Sequence, residues 1–373
     1  QVGGDTDPYN TLLTYSLTGQ GHLNYPMGRI SQSSIPNPEL KPLSKTDFEI
    51  GADLRFAENR LGLDIAYYQA TTEDDILSAS ISQASSFTGT TVNIGEIESS
   101  GIELMLTITP VKSDLVWDVN LNFSANNNKV VRLSEDGKIK RLQVGEPRTR
   151  WAFVHQIVDE PYSSIVGFTH ATINGEKVYD PITGRPQITD TVSYLGQGVH
   201  KFVGGINNSF RYKGFNLSFL VDFKVGADIY SGTNVRLVQW GLHQMTVEGR
   251  EDGIPISGVN PDGEPLNMTI TDPADIQGYW SGYANASDYF IYDASFWKLR
   301  QVIFGYTFSG RMMEKTPFSS VNLSFVGRNL WLISGHVDNI DPEMNYQNTN
   351  AQGLDYFGMP QTRSYGFNLR VKF

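Results

Sequence analysis

The sequence predicts an all-β fold, a transmembrane antiparallel up-and-down β-barrel. Three observations predict it. Most strand-like segments run about ten residues, with one face apolar and the other polar, as a tilted bilayer crossing needs. Their connections are short and long in turn. No run of eighteen apolar residues offers a membrane helix, and mean hydropathy is −0.29, which alternating strands produce because the two faces cancel.

The strands follow in order. Residues 12–17 read as the end of one strand, and 35–42 form an extended, Pro-punctuated segment. In residues 46–56, Thr46, Phe48, Ile50, Ala52, Leu54 and Phe56 share a face against Asp47, Glu49, Gly51, Asp53 and Arg55. Leu61, Leu63, Ile65 and Tyr67 oppose Gly62, Asp64, Ala66 and Tyr68. Ile102, Leu104, Leu106 and Ile108 mark the next strand. Leu115, Trp117, Val119, Leu121 and Phe123 oppose Asp118, Asn120, Asn122 and Ser124. Phe202, Ile206, Phe210 and Tyr212 are followed, after Lys213-Gly214, by Phe215, Leu217, Phe219, Val221 and Phe223. Val302, Phe304, Tyr306 and Phe308 precede Val321, Leu323 and Phe325. The last strand places Tyr365, Phe367, Leu369, Val371 and Phe373 opposite Ser364, Gly366, Asn368, Arg370 and Lys372. It reads as the barrel-closing strand. Lys298 and Arg300 fall on the apolar phase, where a cation facing mid-bilayer costs about 2–4 kcal/mol. They are expected near a membrane surface or beside a bulge.

Short connections fall at 57–60, 110–114, 213–214 and 309–319; long ones at 73–97, 126–200, 225–295 and 331–362. Barrels of outer membranes have short periplasmic turns and long extracellular loops, so the C-terminus is expected on the periplasmic side. An open edge is not tolerated in lipid. The nine or ten strands are therefore expected to be the C-terminal part of a bigger barrel, with 1–373 a single portion of one domain. The edge near Thr46 and the last strand should pair with strands not present here, rather than with each other. The sequence opens on Gln1 with no Met, basic or apolar leader-like stretch, and reads as processed or as a piece of something longer.

Composition excludes other classes. With no Cys, disulfides, thiolate catalysis and Cys-ligated metals are out. A net charge of −11 without basic clusters argues against nucleic acid. His22, His155, His170, His200, His243 and His336 show no metal-site spacing, and no nucleophile elbow or phosphate loop is present, so no enzyme is expected. Acidic clusters at 73–75, 272–275 and 338–343 could hold calcium through oxygen ligands, but none has the EF-hand spacing and solvated loops explain them better. No cofactor is expected.

Aromatic residues crowd the long connections. Trp240, Tyr279, Trp280, Tyr283, Tyr289, Tyr292, Tyr346 and Tyr356 are the candidates for contact with a substrate or lid, since rings beside Asn and Asp suit sugars or peptides. An aromatic belt at the membrane interface, or packing between loops, is the plainer reading. Val235, Val238, Leu242 and Met245 have helical spacing and predict a short helix.

An ordered set of motifs resembles the SusC/RagA family of TonB-dependent transporters. It comprises Asn37-Pro-Glu-Leu-Lys41 with Thr46-Asp-Phe-Glu-Ile-Gly51, Asn59-Arg-Leu-Gly-Leu-Asp64 with Tyr67-Tyr68, and Asn93-Ile-Gly-Glu-Ile97 with Gly101-Ile-Glu-Leu104. Lys298-Leu-Arg-Gln-Val302 with Gly305-Tyr306, Gly327-Arg-Asn-Leu330, Ile340-Asp-Pro-Glu-Met-Asn345, Pro360-Gln-Thr-Arg363 and terminal Phe373 complete it. Gly198-Val-His-Lys-Phe202 lacks a proline often found there in the family. The resemblance implies a barrel of about 22 strands in the outer membrane of a Gram-negative, Bacteroidetes-type bacterium, plugged by an N-terminal domain. It implies a SusD-like surface lipoprotein as lid, energy from the TonB complex through the N-terminus, and active uptake of oligosaccharides or oligopeptides. The plug and earlier strands, on the same or a separate chain, and the lipid bilayer are the expected partners. The alternative is a SusC-like barrel serving as scaffold in a larger outer-membrane assembly.

Overall fold

The computed structural model describes residues 2–4, 10–23, 25–144, 148–346 and 351–373; Gln1 lies outside them. Nine antiparallel strands form a continuous wall in chain order: β1 (Leu43–Phe56), β2 (Leu61–Ser80), β3 (Gly89–Lys112), β4 (Leu115–Arg132), β5 (Phe202–Tyr212), β6 (Phe215–Val225), β7 (Phe296–Ser309), β8 (Ser320–Gly335) and β9 (Ser364–Lys372). These are the strands that alternation predicts.

Register converts the alternation of single strands into two coherent surfaces. One cross-strand row reads Leu54, Leu63, Leu106, Leu121, Ile206, Val221, Leu299 and Trp331. The neighbouring row on the opposite face reads Asp53, Asp64, Met105, Asn122, Gly205, Asp222 and Lys298. The first suits lipid and the second a wet lumen. Large side chains of the apolar surface stay exposed, with Phe48 at 60% and Phe367 at 79%. Gly204 lies in that surface between Phe123 and Phe223, whose centroids are 6.4 Å apart. A Cβ there would come within 2.7 Å of the Phe223 ring, so only glycine lets the two rings close over the strand. Asn208 shares this apolar face, opposite Val119 and Phe219. Its Oδ1 accepts from Trp117 Nε1 at 3.1 Å, which lowers the cost of an amide facing lipid.

β1 and β9 do not pair with each other among the described residues. Among the described residues β1 meets Val2–Gly4 at Leu43, Ser44 and Lys45, and none of them pairs with its outer edge below Lys45. Beyond β8, β9 has no further neighbour among the described residues.

Two expectations change. The connection at 73–97 is mostly strand: β2 and β3 stay paired from Leu61↔Ile108 out to Ser80↔Gly89. With 20 and 24 residues, these strands run roughly 65–80 Å at about 3.3 Å per residue, well past an apolar band of about 25 Å. Outside lipid no apolar face is required. The period-two signal therefore fades although the β-branched Thr90, Thr91 and Val92 still favour strand. Of residues 12–17, Tyr15–Leu17 instead open a hairpin of Tyr15–His22 with Tyr25–Ile30 that stands apart from the wall.

The long connections fold together into a cap. Short strands Arg141–Val144, Ala152–Ile157, Ser164–Gly167 and Ser193–Gln197 extend the sheet outward from Ala79 on β2. Asp228–Ser231 lies between Ile291–Asp293 and Leu354–Asp355, the latter in parallel. Helix α1 (Gly232–Gln239) takes in Val235 and Val238 of the predicted helical segment but stops before Leu242 and Met245, and the chain then passes to a 3₁₀ turn at Gln244–Val247. Gly241 at φ 68° ends α1, as glycine does after a helix, which is why Leu242 leaves the helical face and is 69% exposed. Helix α2 (Pro273–Tyr283) is capped by Asp272, whose Oδ1 accepts from Ala274 N at 2.8 Å, with Pro273 in the first turn. Tyr230, Phe290, Val238 and Leu354 are at most 2% exposed in the cap core.

Candidate functional site

A charged cluster on β6 and β7 holds a cap loop against the wall. In the β6–β7 ladder Leu220 pairs with Gln301 and Val221 with Leu299, so Arg300 is an extra residue in β7. A one-residue bulge reverses which side chains face which side. Below it the even-numbered Val302 and Phe304 carry the apolar face; above it Trp297 and Leu299 do, and Lys298 turns to the lumen row. Of the two expectations for Lys298 and Arg300, the structure selects the bulge.

Lys298 is 6% exposed. Its Nζ donates to Asp341 Oδ1 at 2.6 Å and Glu343 Oε2 at 2.7 Å, and lies 4.8 Å from the Phe296 ring. Arg300 donates to Asp222 Oδ2 at 2.6 Å, Glu343 Oε2 at 2.8 Å, Asn329 Oδ1 at 3.2 Å and Gln361 Oε1 at 2.8 Å. Lys224 reaches Glu343 at 3.5 Å. Burial opposes the charge of Glu343, but the hydrogen bonds from Lys298 and Arg300 outweigh it and hold the carboxyl below its ordinary range. Asn329 sits at φ 51°, a backbone region that Asn tolerates, and its Nδ2 donates to Thr362 O. Four motifs separate in sequence, those at 298–302, 327–330, 340–345 and 360–363, therefore meet around Arg300. The out-of-phase charges were the signal that sequence offered for this cluster. The bulge that accommodates them comes only from the pairing. The acidic segment at 338–343 is held by these cations, at Asp341 and Glu343, rather than left in solvent.

Most of the aromatic candidates converge in the cap. Tyr279, Trp280 and Tyr283 lie on α2, with centroids 5.2–6.1 Å apart. Tyr283 stacks on Tyr289 at 4.0 Å and 9°. Tyr289 Oη is 2.7 Å from His170 Nδ1, and His170 Nε2 is 3.0 Å from Val178 O. This is satisfied when a neutral His170 donates through Nε2 and accepts from Tyr289. Burial raises the hydroxyl pKa of Tyr279, Tyr283 and Tyr289. Tyr292 Oη accepts from Asn234 Nδ2 at 3.2 Å. Tyr346 packs on the cap core, and Tyr356 lies 5.1 Å from Phe357. Trp280 is 8% exposed, whereas Trp240 is 62% exposed and stacks on Phe357 at 5.9 Å. The buried rings hold the cap together; Trp240 is the one candidate that presents its indole broadly to solvent.

Trp240 and Trp280 both line a cleft of about 420 Å³ between the end of α1 and the start of α2, with Gln239, Thr246, Arg250, Ile276 and Gln277. A second recess, about 650 Å³, lies on the lumen face of β1–β6 and includes Glu49, Asp64, Glu103 and Asn122. None of these three carboxylates has an ion-pair partner among the described residues. The cap histidines are structural. Burial lowers the pKa of His155 to about 4, helped by Arg141, and lowers those of His170 and His200.

Residues 8–151 match the family described as TonB dependent receptor-like, beta-barrel. The chain is 26% identical to TonB-dependent receptor P3 of Formosa agariphila over 98% of its own length and 38% of the relative's. It is 22% identical to TonB-dependent receptor SusC of Bacteroides thetaiotaomicron over 98% of its length and 36% of that protein's. The chain thus spans little more than a third of the curated relatives it matches. In fold it is similar to the RagAB peptide transporter, with a TM-score of 0.72 at 17% identity over 98% of this chain and 39% of that one. These relatives are named as receptors and a transporter, not enzymes. Strand pattern, register and these matches agree: the chain has the β-barrel fold of the TonB-dependent receptors and is similar to SusC.

Proposed function

We propose that the chain forms the C-terminal wall and outer loops of a SusC-type active importer in the outer membrane. The observation that carries this reading is a wall with an apolar outer row and a polar inner row, crowned on its long-loop side by a folded cap. The bare edges of β1 and β9 support pairing with further strands, because unpaired backbone is not tolerated in lipid. On the family resemblance these would complete a barrel of about 22 strands that holds a plug. The unpaired Glu49, Asp64 and Glu103 on the lumen face would meet basic groups of that plug. A SusD-like lipoprotein would close over the cap, the TonB complex would supply energy through the N-terminal part, and β9 would end on the periplasmic side. The cargo would be oligosaccharides or oligopeptides.

Binding and an external energy source would move the cargo without breaking bonds. The test is uptake of labelled oligosaccharide or oligopeptide by cells carrying the full-length protein, with and without its TonB-interacting segment. Loss of accumulation on deletion supports active import. Undiminished uptake in the deletion strain removes it.

A further inference from the structure

We infer that the cleft between α1 and α2 binds one pyranose residue of an oligosaccharide, stacked against Trp240. This rests on the import reading and names a site for its cargo.

The cleft has an apolar floor and a polar rim. Val238, Ile276 and Trp280 are buried at its base. Gln239, Gln277 and Arg250 supply the rim, and no carboxylate lines it. Its volume of about 420 Å³ lies within the range of small-molecule sites. Trp240, at 62% exposure and stacked on Phe357, presents a ring held by its neighbour. A stacked ring with side-chain amides around it fits a sugar, which has apolar C–H faces and hydroxyls at its edge.

Arg250 strengthens the case. Its Nε donates to Thr246 O at 2.7 Å, and its Nη2 to Gly241 O at 2.6 Å and Thr246 Oγ1 at 2.9 Å. These bonds fix the guanidinium at the cleft wall, yet no carboxylate among the described residues pairs with it. It is a positioned donor for ligand oxygens. The same bonds argue against an extended peptide. They occupy the rim carbonyls of Gly241 and Thr246, so the rim offers no open ladder for strand addition.

The test uses the full-length protein and two exposed-residue variants, Trp240→Ala and Gln277→Ala. Binding is followed by calorimetry with a neutral oligosaccharide, a uronate-containing oligosaccharide and a peptide of similar length. Uptake is measured separately in cells. Trp240→Ala should weaken saccharide binding by about tenfold or more, equivalent to about 1.4 kcal/mol or more, and Gln277→Ala by less. Preference for the uronate would show that Arg250 reads a carboxylate; equal binding would show that it reads hydroxyls, and both fit the proposal. Saccharide affinity unchanged in Trp240→Ala overturns the cleft assignment, as does binding of the peptide alone. Variant-sensitive saccharide binding without any uptake would instead remove the import reading and leave the cleft standing.

Discussion

The wall and the cap bury their apolar side chains in opposite senses. Across the wall, Phe48, Phe304, Phe367 and Leu369 point outward and remain 51–79% exposed. In the cap, Tyr230, Phe290, Ile229 and Ile165 are at most 1% exposed. One chain therefore follows two rules, because its two halves face different solvents. Where lipid is the solvent, apolar groups belong outside and polar groups face the lumen. Where water is the solvent, the order reverses. The bulge at Arg300 marks the change, since the strand reverses its parity there and hands its cations to the cap loop.

Substitutions that respect one rule and break the other sharpen this contrast. The largest effect is expected from Phe290→Ala. It empties a buried site in the cap and should cost about 3–5 kcal/mol, seen as lost hydrogen-exchange protection in the cap while β3–β6 stay protected. Simultaneous loss in the wall would show that the two halves fold as one unit. Next, Leu121→Arg places a cation in the middle of the apolar row and should cost about 2–4 kcal/mol in lipid. Asn122→Arg, one residue on, faces the lumen and should cost much less. Unfolding titrations in vesicles compare them, and equal losses would refute the assignment of faces.

A pH effect follows in size. The cap holds His155, His170 and His200 neutral, with pKa values below the ordinary 6.5 and His155 at about 4. Their contribution is present above pH 6.5 and declines as the pH falls below it, because the unfolded chain takes up protons first. Glu343, held low by its cations, acts in the same direction at more acid pH. Protection factors, which divide out the intrinsic pH dependence of amide exchange, should therefore fall at residues 152–170 between pH 7.5 and 5 while those of residues 101–125 hardly change. Identical behaviour in both segments would remove the histidine explanation. The smallest effect is expected from Asp272→Ala, which deletes the N-cap of α2 at about 0.5–2 kcal/mol and should loosen α2 locally. A thermal scan of the cap reads it, and an unchanged midpoint would mean that packing alone holds α2.

Sequence by itself determined the wall. A strand that separates lipid from water must alternate, so Tyr365, Phe367, Leu369 and Val371 declared their face without any partner in view. Alternation likewise located all nine strands and the spacing of the turns. It underestimated β2 and β3 because no lipid enforces a pattern on their outer halves. The α1 segment was legible from its apolar spacing, whereas α2 went unread although Asp272-Pro273 is a helix-start signal.

Only the tertiary structure decided the rest. Whether Lys298 faces lipid or lumen depends on one extra residue in a ladder, and that is a property of two strands together. Which aromatic residues are core and which are free likewise depends on distant partners: Tyr289 on His170, Trp280 on the α1–α2 contact, Trp240 on Phe357. Alternation is local physics imposed by the solvent on each face. Bulges, clefts and convergent charges arise from contacts between segments far apart in sequence.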